Sequence, residues 1–190
     1  MPIISGTIRN YAYKDFVRSM KVNSTFSITG TTTGADSGTV LIDEDANFFA
    51  SGVLPGDSVS NDTDSSTATV VSVDSATQIT TDALSGGSDD TYQAGDDYTI
   101  ANATSVRAVL YRANKVSMLR NITGNSDSTA AALKIYKQED LSNSKFDATM
   151  PQTNVWQIDP EFELSQRGET IIVDLTVASA GKLNISWEAH

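Results

Sequence analysis

The stretch TIIVDLTVASAGKLNISWE, residues 170–188, contains the clearest strand pattern of the chain. Apolar residues alternate with polar ones in its first half, and they do so again over residues 183–187. Side chains of a β-strand point alternately to its two faces, so this alternation predicts two half-buried strands. The small residues 179–181 lie between them and predict a tight hairpin. The end of the chain therefore indicates antiparallel β-structure.

Similar patterns occur through the whole C-terminal third and predict six strands there. They lie at 106–113, 115–122, 131–137, 155–164, 170–178 and 182–188. Six antiparallel strands of this length are typical of a β-sandwich, and we expect one with a jelly-roll-like order of strands over residues 104–190.

The middle of the chain has an unusual charge distribution. Residues 35–104 contain thirteen acidic residues and no lysine or arginine. By contrast, residues 1–34 carry four basic groups and one acidic group, and residues 105–190 carry nine basic and ten acidic groups. The whole formal charge of −11 therefore arises from the middle block.

This acidic block has the pattern of a folded module rather than that of a disordered segment. Short β-branched runs alternate with turn sequences such as Pro55-Gly56-Asp57. About five short strands at this spacing predict a small β-barrel over residues 35–103. The glycine-rich segment 29–34 and the segment 101–104 resemble two linkers, so we expect the barrel to be inserted into the rest of the fold.

The first 34 residues form the third predicted part. Strand candidates lie at 3–8 and 25–29, and residues 11–20 predict a short helix. The basic residues of this part predict an N-terminal arm that packs on the sandwich or reaches a neighbouring subunit.

The chain contains few residues suited to catalysis, and the sequence predicts no catalytic, cofactor-binding or metal-binding residue. There is no cysteine, and the single histidine is His190, for which no orienting partner can be named. The best carboxylate pair for glycoside hydrolysis is Glu161 and Glu163, near Trp156 and Phe162. Same-face carboxylates on a strand more often form a solvated face. Trp156 and Trp187 could form a sugar-binding platform, although core positions are the commoner use of such residues.

Three acidic clusters offer the oxygen ligands that Ca²⁺ prefers. They are residues 43–45, 61–64 and 88–90. The second begins like an EF-hand loop but lacks the central glycine and the terminal glutamate. We therefore expect solvated acidic turns and no bound metal.

Charge and hydropathy limit the possible partners. A net negative chain lacks the basic footprint that nucleic-acid binding needs. No run of apolar residues approaches the roughly 20 that span a bilayer, and no signal peptide is visible. We expect synthesis in a cytoplasm and no membrane partner.

The acidic block also carries a resemblance. Its turns and strands follow the order GxxPGDxV at residues 52–59, ATVxSV at 68–73, TxIT at 77–80 and GDxYxI at 95–100. This order resembles a small β-barrel module of structural proteins of tailed bacteriophages. The C-terminal third, with ALKIY at 132–136 and GKLNISW at 181–187, is similar to the small β-sandwiches of phage virion proteins.

The resemblance implies a non-enzymatic virion protein. The favoured expectation is a capsid decoration (cement) protein that binds the major capsid protein on the outer surface of a head, as a homo-oligomer and most often a trimer. The alternatives are a phage tail, head fibre or head–tail adaptor component, and a carbohydrate-binding adhesin module. A glycan hydrolase is the remaining enzyme alternative.

Overall fold

The computed structural model describes residues 17–34, 37–111, 117–151, 156–158, 162–164 and 170–189. The described part is almost entirely β-structure, and its sheets are antiparallel, as predicted. Its elements are β1 (Val17–Val22), β2 (Phe26–Thr31), β3 (Val40–Ile42), α1 (Phe48–Ser51), β4 (Ser58–Asn61), β5 (Ser66–Val73), β6 (Gln78–Thr81), β7 (Asp97–Asn102), β8 (Ser105–Tyr111), β9 (Ser117–Ser126), β10 (Ala132–Lys137), β11 (Phe146–Thr149), β12 (Trp156–Ile158), β13 (Phe162–Leu164), β14 (Thr170–Thr176) and β15 (Gly181–Ala189).

Two sheets form a sandwich around one apolar core. The first has the order β1-β15-β9-β12, with β13 also paired to β9, and the second has the order β11-β10-β14-β8. Alternate residues of both sheets point inward and are removed from water, as the period of two requires. The main core residues are Val106, Ala108, Leu110, Ile122, Leu133, Ile135, Ile171, Val173, Leu175, Leu183 and Ile185.

The predicted hairpin at residues 179–181 is wrong, although both of its strands exist. β14 pairs with β10 and β8, whereas β15 pairs with β1 and β9, so the turn crosses from one sheet to the other. Both strands then point their apolar residues at the same core from opposite sides. Gly181 allows the crossing, because a Cβ there would lie 3.1 Å from the carbonyl oxygen of Asn125 and would collide with Val177.

The strands β2 to β7 form a separate sheet in the order β2-β7-β4-β5-β6-β3. Its inner residues make a second core, which includes Leu41, Phe48, Val59, Ile79, Tyr92, Tyr98 and Ile100. The sheet curls until its two edges meet just beyond β2, where the N–H groups of Thr33 and Gly34 donate to the carbonyl of Ile42 at 2.8 and 3.3 Å.

A β-bulge in β5 determines which side of the strand each of its three valines faces. Ser66, Ala68 and Val70 point inward in ordinary alternation. The register then shifts between Val70 and Ser72, which leaves Val71 55% exposed and returns Val73 to the apolar side. A bulge of this kind inserts one residue and bends the strand, which suits a tightly curled sheet.

The order along the chain is simple. β1 belongs to the sandwich, β2 to β7 follow in their own sheet, and β8 returns to the sandwich. β2 begins at Phe26, before residue 35, and pairs with β7. The predicted short helix over 11–20 is wrong for residues 17–20, which lie in β1, and its earlier part lies outside the described residues. The parts 1–34, 35–103 and 104–190, the jelly-roll-like strand order, the inserted barrel and the arm stay predictions.

The curled sheet packs on the outer face of the second sandwich sheet. The residues of β14 that point away from the sandwich core include Ile172, which forms a third apolar cluster with Leu54 and Leu141. Gly52 approaches β8 so closely that a Cβ at this position would collide with Val109. The part of the chain that the structure describes contains no helix long and apolar enough to cross a membrane.

Candidate functional site

A buried arginine lies where the two β-units meet. Arg107, on β8, is the first basic residue after the acidic block and is only 7% exposed. Its two terminal nitrogens contact the two carboxylate oxygens of Asp57 at 2.5 and 2.6 Å, and its Nε donates to Asp174 at 2.9 Å. A forked pair of this kind holds both partners in one orientation.

Further contacts complete this joint. A terminal nitrogen of Arg107 also donates to the Gly52 carbonyl at 3.1 Å, and its guanidinium carbon lies 4.3 Å from the centre of the Phe26 ring. Burial alone would lower the pKa of Arg107, but the hydrogen bonds to Asp57 and the charges of Asp174 and Asp57 raise it above its ordinary value. The guanidinium is therefore charged at every accessible pH, and it joins one carboxylate from each unit.

The turn at residues 54–57 places Asp57 for this role. Proline presets the backbone at Pro55, and Gly56 supplies the positive φ of 92° that the next turn position requires. The turn closes with a hydrogen bond from the N–H of Asp57 to the carbonyl of Leu54 at 3.2 Å. The Asp57 carboxylate also accepts from the Leu54 N–H at 2.8 Å and from Asn102 at 3.1 Å. The Pro-Gly-Asp turn thus orients Asp57 toward Arg107, and this ion pair joins the two units.

The predicted acidic clusters at 61–64 and 88–90 come together in the structure. The Asp64 carboxylate accepts from the Ser66 N–H at 2.8 Å and from the Asp90 N–H at 3.1 Å, so it ties two loops to each other. Burial alone would raise the pKa of Asp64, but the hydrogen bonds from Ser66 and Asp90 lower it overall. This carboxylate stabilises the ends of β4 and β5 by accepting from the protein's own donors.

The cluster at 43–45 has a different surrounding. Asp43 is 4% exposed and accepts from the Tyr98 hydroxyl at 2.8 Å and from the Asp45 N–H at 2.9 Å. Burial raises the pKa of Tyr98, and the hydrogen bond to Asp43 raises it further, so Tyr98 remains a donor. Across residues 17–34, 37–111, 117–151 and the shorter described segments, no group of three or more Asp, Glu, His or Cys side chains is arranged to hold a metal ion.

Most other acidic side chains of the block also accept hydrogen bonds from nearby donors. Asp74 accepts from Ser72 at 2.6 Å and from Thr80 at 2.7 Å. Asp96, which is 9% exposed, accepts from Asn61 and from the Gln93 N–H, both at 2.8 Å. Short polar side chains that bond the backbone two or three residues away stabilise turns. The described part of the block therefore uses its carboxylates mainly as structural acceptors.

The remaining candidates fall largely outside the described residues. His190 and Glu161 lie outside them. Trp156, Glu163 and Trp187 lie in β12, β13 and β15, and the structure describes only the backbone of these three residues. The carboxylate pair and the tryptophan platform therefore stay predictions.

The comparison with known proteins adds no family. No protein-family model matches this chain, and no curated protein matches it.

Sequence reasoning missed the joint around Arg107. The signal that could have found it is the position of this arginine, which ends an 85-residue stretch without basic residues (22–106) and lies inside a largely apolar strand. A charged residue within such a strand is buried only with a partner. The choice among thirteen acidic partners in the block is a matter of tertiary packing.

Proposed function

We propose that this chain is a non-enzymatic structural protein of a tailed-phage virion, and that it decorates the outer surface of the head. The observation that carries the proposal is the use of the acidic side chains. In the acidic block, described carboxylates accept hydrogen bonds from the backbone, hydroxyls and Arg107. Such groups stabilise a scaffold. The order of turns and strands that resembles phage modules supports the same proposal.

The charge distribution suggests how the chain sits on the head. A block with thirteen acidic and no basic residues is costly to bury in an interface, because each carboxylate would lose water. The sandwich and the N-terminal arm carry the basic residues of the chain, so they face the shell in the proposed arrangement. The acidic unit then projects into solvent. The proposed assembly is a homo-oligomer, and a trimer follows from the resemblance alone.

Co-sedimentation with purified phage particles tests the proposal. Heads that lack the chain and separated tails are each mixed with purified protein, and bound chain is measured after centrifugation. The proposal expects saturable binding to heads and a higher temperature of DNA release. Binding to tails alone would replace it with the tail, head-fibre or adaptor alternative. Binding to glycans but to neither particle would favour the adhesin.

Two charge reversals of equal size test the orientation. Lys182 is exposed at the start of β15 in the sandwich, and Glu44 is exposed in the acidic unit. Lys182→Glu is expected to weaken head binding by about tenfold, since reversal of an interface charge costs on the order of 1–2 kcal/mol. Glu44→Lys is expected to leave it unchanged. The opposite pattern would contradict the proposed orientation while leaving head binding itself intact.

A further inference from the structure

The acidic unit, which is the curled sheet β2 to β7 with its loops, is attached to the sandwich by two short connections. β1 passes into β2 through residues 23–25, and β7 passes into β8 through residues 103–104. β2 and β7 pair with each other from Phe26 and Asn102 onward, whereas β1 and β8 belong to different sheets of the sandwich. The ladder between β2 and β7 therefore ends at the boundary. Two strands that separate in this way form a stem that does not by itself fix how the acidic unit is turned.

Apolar contacts hold the acidic unit against the second sandwich sheet. Leu54 from the unit packs with Leu141 and Ile172 from the sandwich, and partly buried apolar side chains surround these three. Hydrophobic attraction is roughly proportional to the area removed from water, and it has no preferred direction. A cluster of three buried side chains therefore supplies attraction without a strong preference for one orientation.

Arg107 supplies directional contacts at the same boundary. From β8 it donates to both carboxylate oxygens of Asp57 and to the Gly52 carbonyl, which are three acceptors on the acidic unit. Its guanidinium lies over the ring of Phe26, the first residue of β2. Asp57 in turn accepts from Asn102, the last residue of β7. The guanidinium is thus connected to both strands of the stem and to the Pro-Gly-Asp turn.

Asp174 holds the same arginine from the sandwich side. Its carboxylate accepts from Nε of Arg107 and from the hydroxyl of Ser105, and both donors belong to the neighbouring strand β8. The strand of Asp174, β14, is paired on both sides, with β10 and with β8, so this carboxylate is anchored in the sheet. The donors of a guanidinium lie in one plane and have fixed directions. Acceptors on both units therefore determine how the acidic unit is turned.

We propose that Arg107 sets the orientation of the acidic unit: its forked contacts with Asp57 and Asp174 select one orientation that the apolar cluster and the stem do not select. A buried ion pair adds little free energy over apolar side chains of similar volume, because both charges lose water on burial. Its geometry is selective, however, since a rotation that opens the fork leaves a buried charge without its partner. Attraction between the units thus comes from the apolar cluster, and their relative orientation comes from Arg107.

Distances between the two units in the full chain test this role. Because the chain has no cysteine, spin labels can be attached to a single engineered pair. Glu44→Cys reports from the acidic unit and Lys182→Cys from the sandwich, and both positions are exposed. Double electron–electron resonance is expected to give one narrow distance when Arg107 is present. A broad distribution in that protein would overturn the proposal, because the orientation would then not be fixed.

Arg107→Lys separates the fork from the charge, because lysine keeps the positive charge and loses the planar set of donors. The distance distribution is expected to broaden or split in this variant. The matched control, Lys134→Met with Asp147→Asn, removes an exposed ion pair from the same sandwich sheet and is expected to keep the single narrow distance. An unchanged narrow distance in Arg107→Lys would show that the fork does not set the orientation.

A joint without charges separates orientation from stability. Arg107→Met combined with Asp57→Asn and Asp174→Asn removes all three charges and keeps a side-chain oxygen at both carboxylate positions. Its urea midpoint is expected to lie closer to that of the wild type than to that of Arg107→Met alone, since no uncompensated charge is left. Its distance between the units is nevertheless expected to be broad. A narrow distance would assign the orientation to the apolar cluster and would overturn the proposal.

A second label pair shows whether the acidic unit turns or unfolds. Glu44→Cys with Ser85→Cys places both labels at exposed positions within the acidic unit. This pair is expected to give the same narrow distance in the wild-type background, in Arg107→Lys and in the charge-free joint. If this distance broadened together with the distance between the units, loss of structure in the acidic unit would explain both, and the result would count against an orienting role of Arg107.

Discussion

Replacement of Arg107 by methionine removes the guanidinium of the joint and keeps an unbranched apolar stem. The variant leaves two carboxylates, those of Asp57 and Asp174, facing each other without a counter-charge. In the wild-type chain their side chains are 0% and 14% exposed, so water compensates little. The expected result is a large loss of stability, because an uncompensated buried charge costs more than the pair contributes.

The magnitude follows from the contacts that are lost. Arg107 donates twice to Asp57, once to Asp174 and once to the Gly52 carbonyl, and it stacks on Phe26. Breaking a buried pair from one side typically costs about 3–5 kcal/mol. The Asp57 carboxylate keeps its bonds from the Leu54 N–H and Asn102, which argues for the lower half of that range.

Urea unfolding measures this loss. With a slope of about 2 kcal/mol per molar urea, the midpoint of Arg107→Met is expected to fall by roughly 2 M. Tryptophan fluorescence follows the sandwich, which holds both tryptophans, and far-ultraviolet circular dichroism follows all strands. Coincident transitions in the wild type and separated ones in the variant would show that Arg107 couples the two units. Lys182→Met, at an exposed position, is expected to change stability by less than about 0.5 kcal/mol. A loss below about 1 kcal/mol in Arg107→Met would show that Arg107 does not stabilise the joint.

Three further predictions concern the acidic unit and the sandwich turns. Gly30→Ala is expected to cost about 1–3 kcal/mol in thermal unfolding, because its Cβ overpacks against Asp43 and Tyr98; an unchanged melting temperature would contradict the close approach. Burial would raise the pKa of Asp127, but hydrogen bonds from Ser179 and from the backbone of residues 178–180 outweigh it and lower this pKa. The contribution of Asp127 to folding stability is therefore present above the ordinary pKa of 3.8 and is lost as pH falls through the lower pKa of the folded state. The free energy of unfolding of Asp127→Asn is therefore expected to fall less steeply than that of the wild type as pH drops below about 4. The same dependence of stability on pH in both proteins would contradict this role of Asp127. Millimolar Ca²⁺ or EDTA is expected to leave the melting temperature unchanged, whereas a rise with Ca²⁺ would show a site that binds the folded state.

The strands were largely predictable because burial on one face leaves a period of two in the sequence. The predictions at 131–137 and 182–188 fall on β10 and β15 almost residue for residue. The pattern also failed where it was weak. β11 (Phe146–Thr149), a four-residue edge strand, was not predicted. The predicted strand at 155–164 contains β12 and β13, and the residues between these two strands lie outside the described part of the chain.

Which strands pair with each other was harder to predict from the sequence than where the strands lie. The apolar residues of β14 and β15 reach one core either from a shared sheet or from facing sheets, and both arrangements give the same alternation. At the crossing over residues 178–180 Gly181 comes close to Val177 and to the carbonyl of Asn125, and the approach to Asn125 leaves no local signal in the sequence. The helix α1 was missed because it is a single turn, with Asn47 as its N-cap and Gly52 in the left-handed conformation at its end.

At the candidate sites, too, local features were predictable from the sequence and long-range pairings were not. The sequence identified the Pro-Gly-Asp turn and the acidic clusters, and it favoured acidic turns over metal sites. It could not show that Asp57 belongs to Arg107, or that Asp64 ties its loop to Asp90. Those pairings join residues that are 50 and 26 positions apart, and the chain between them must be folded before either contact exists.

Electron cryomicroscopy of phage particles with and without this chain tests the proposed function most directly. If the chain decorates the head, difference density lies on the outer face of the head, with the sandwich toward the shell and the acidic unit pointing outward. Difference density confined to the tail, or no difference at all, would contradict the proposed function.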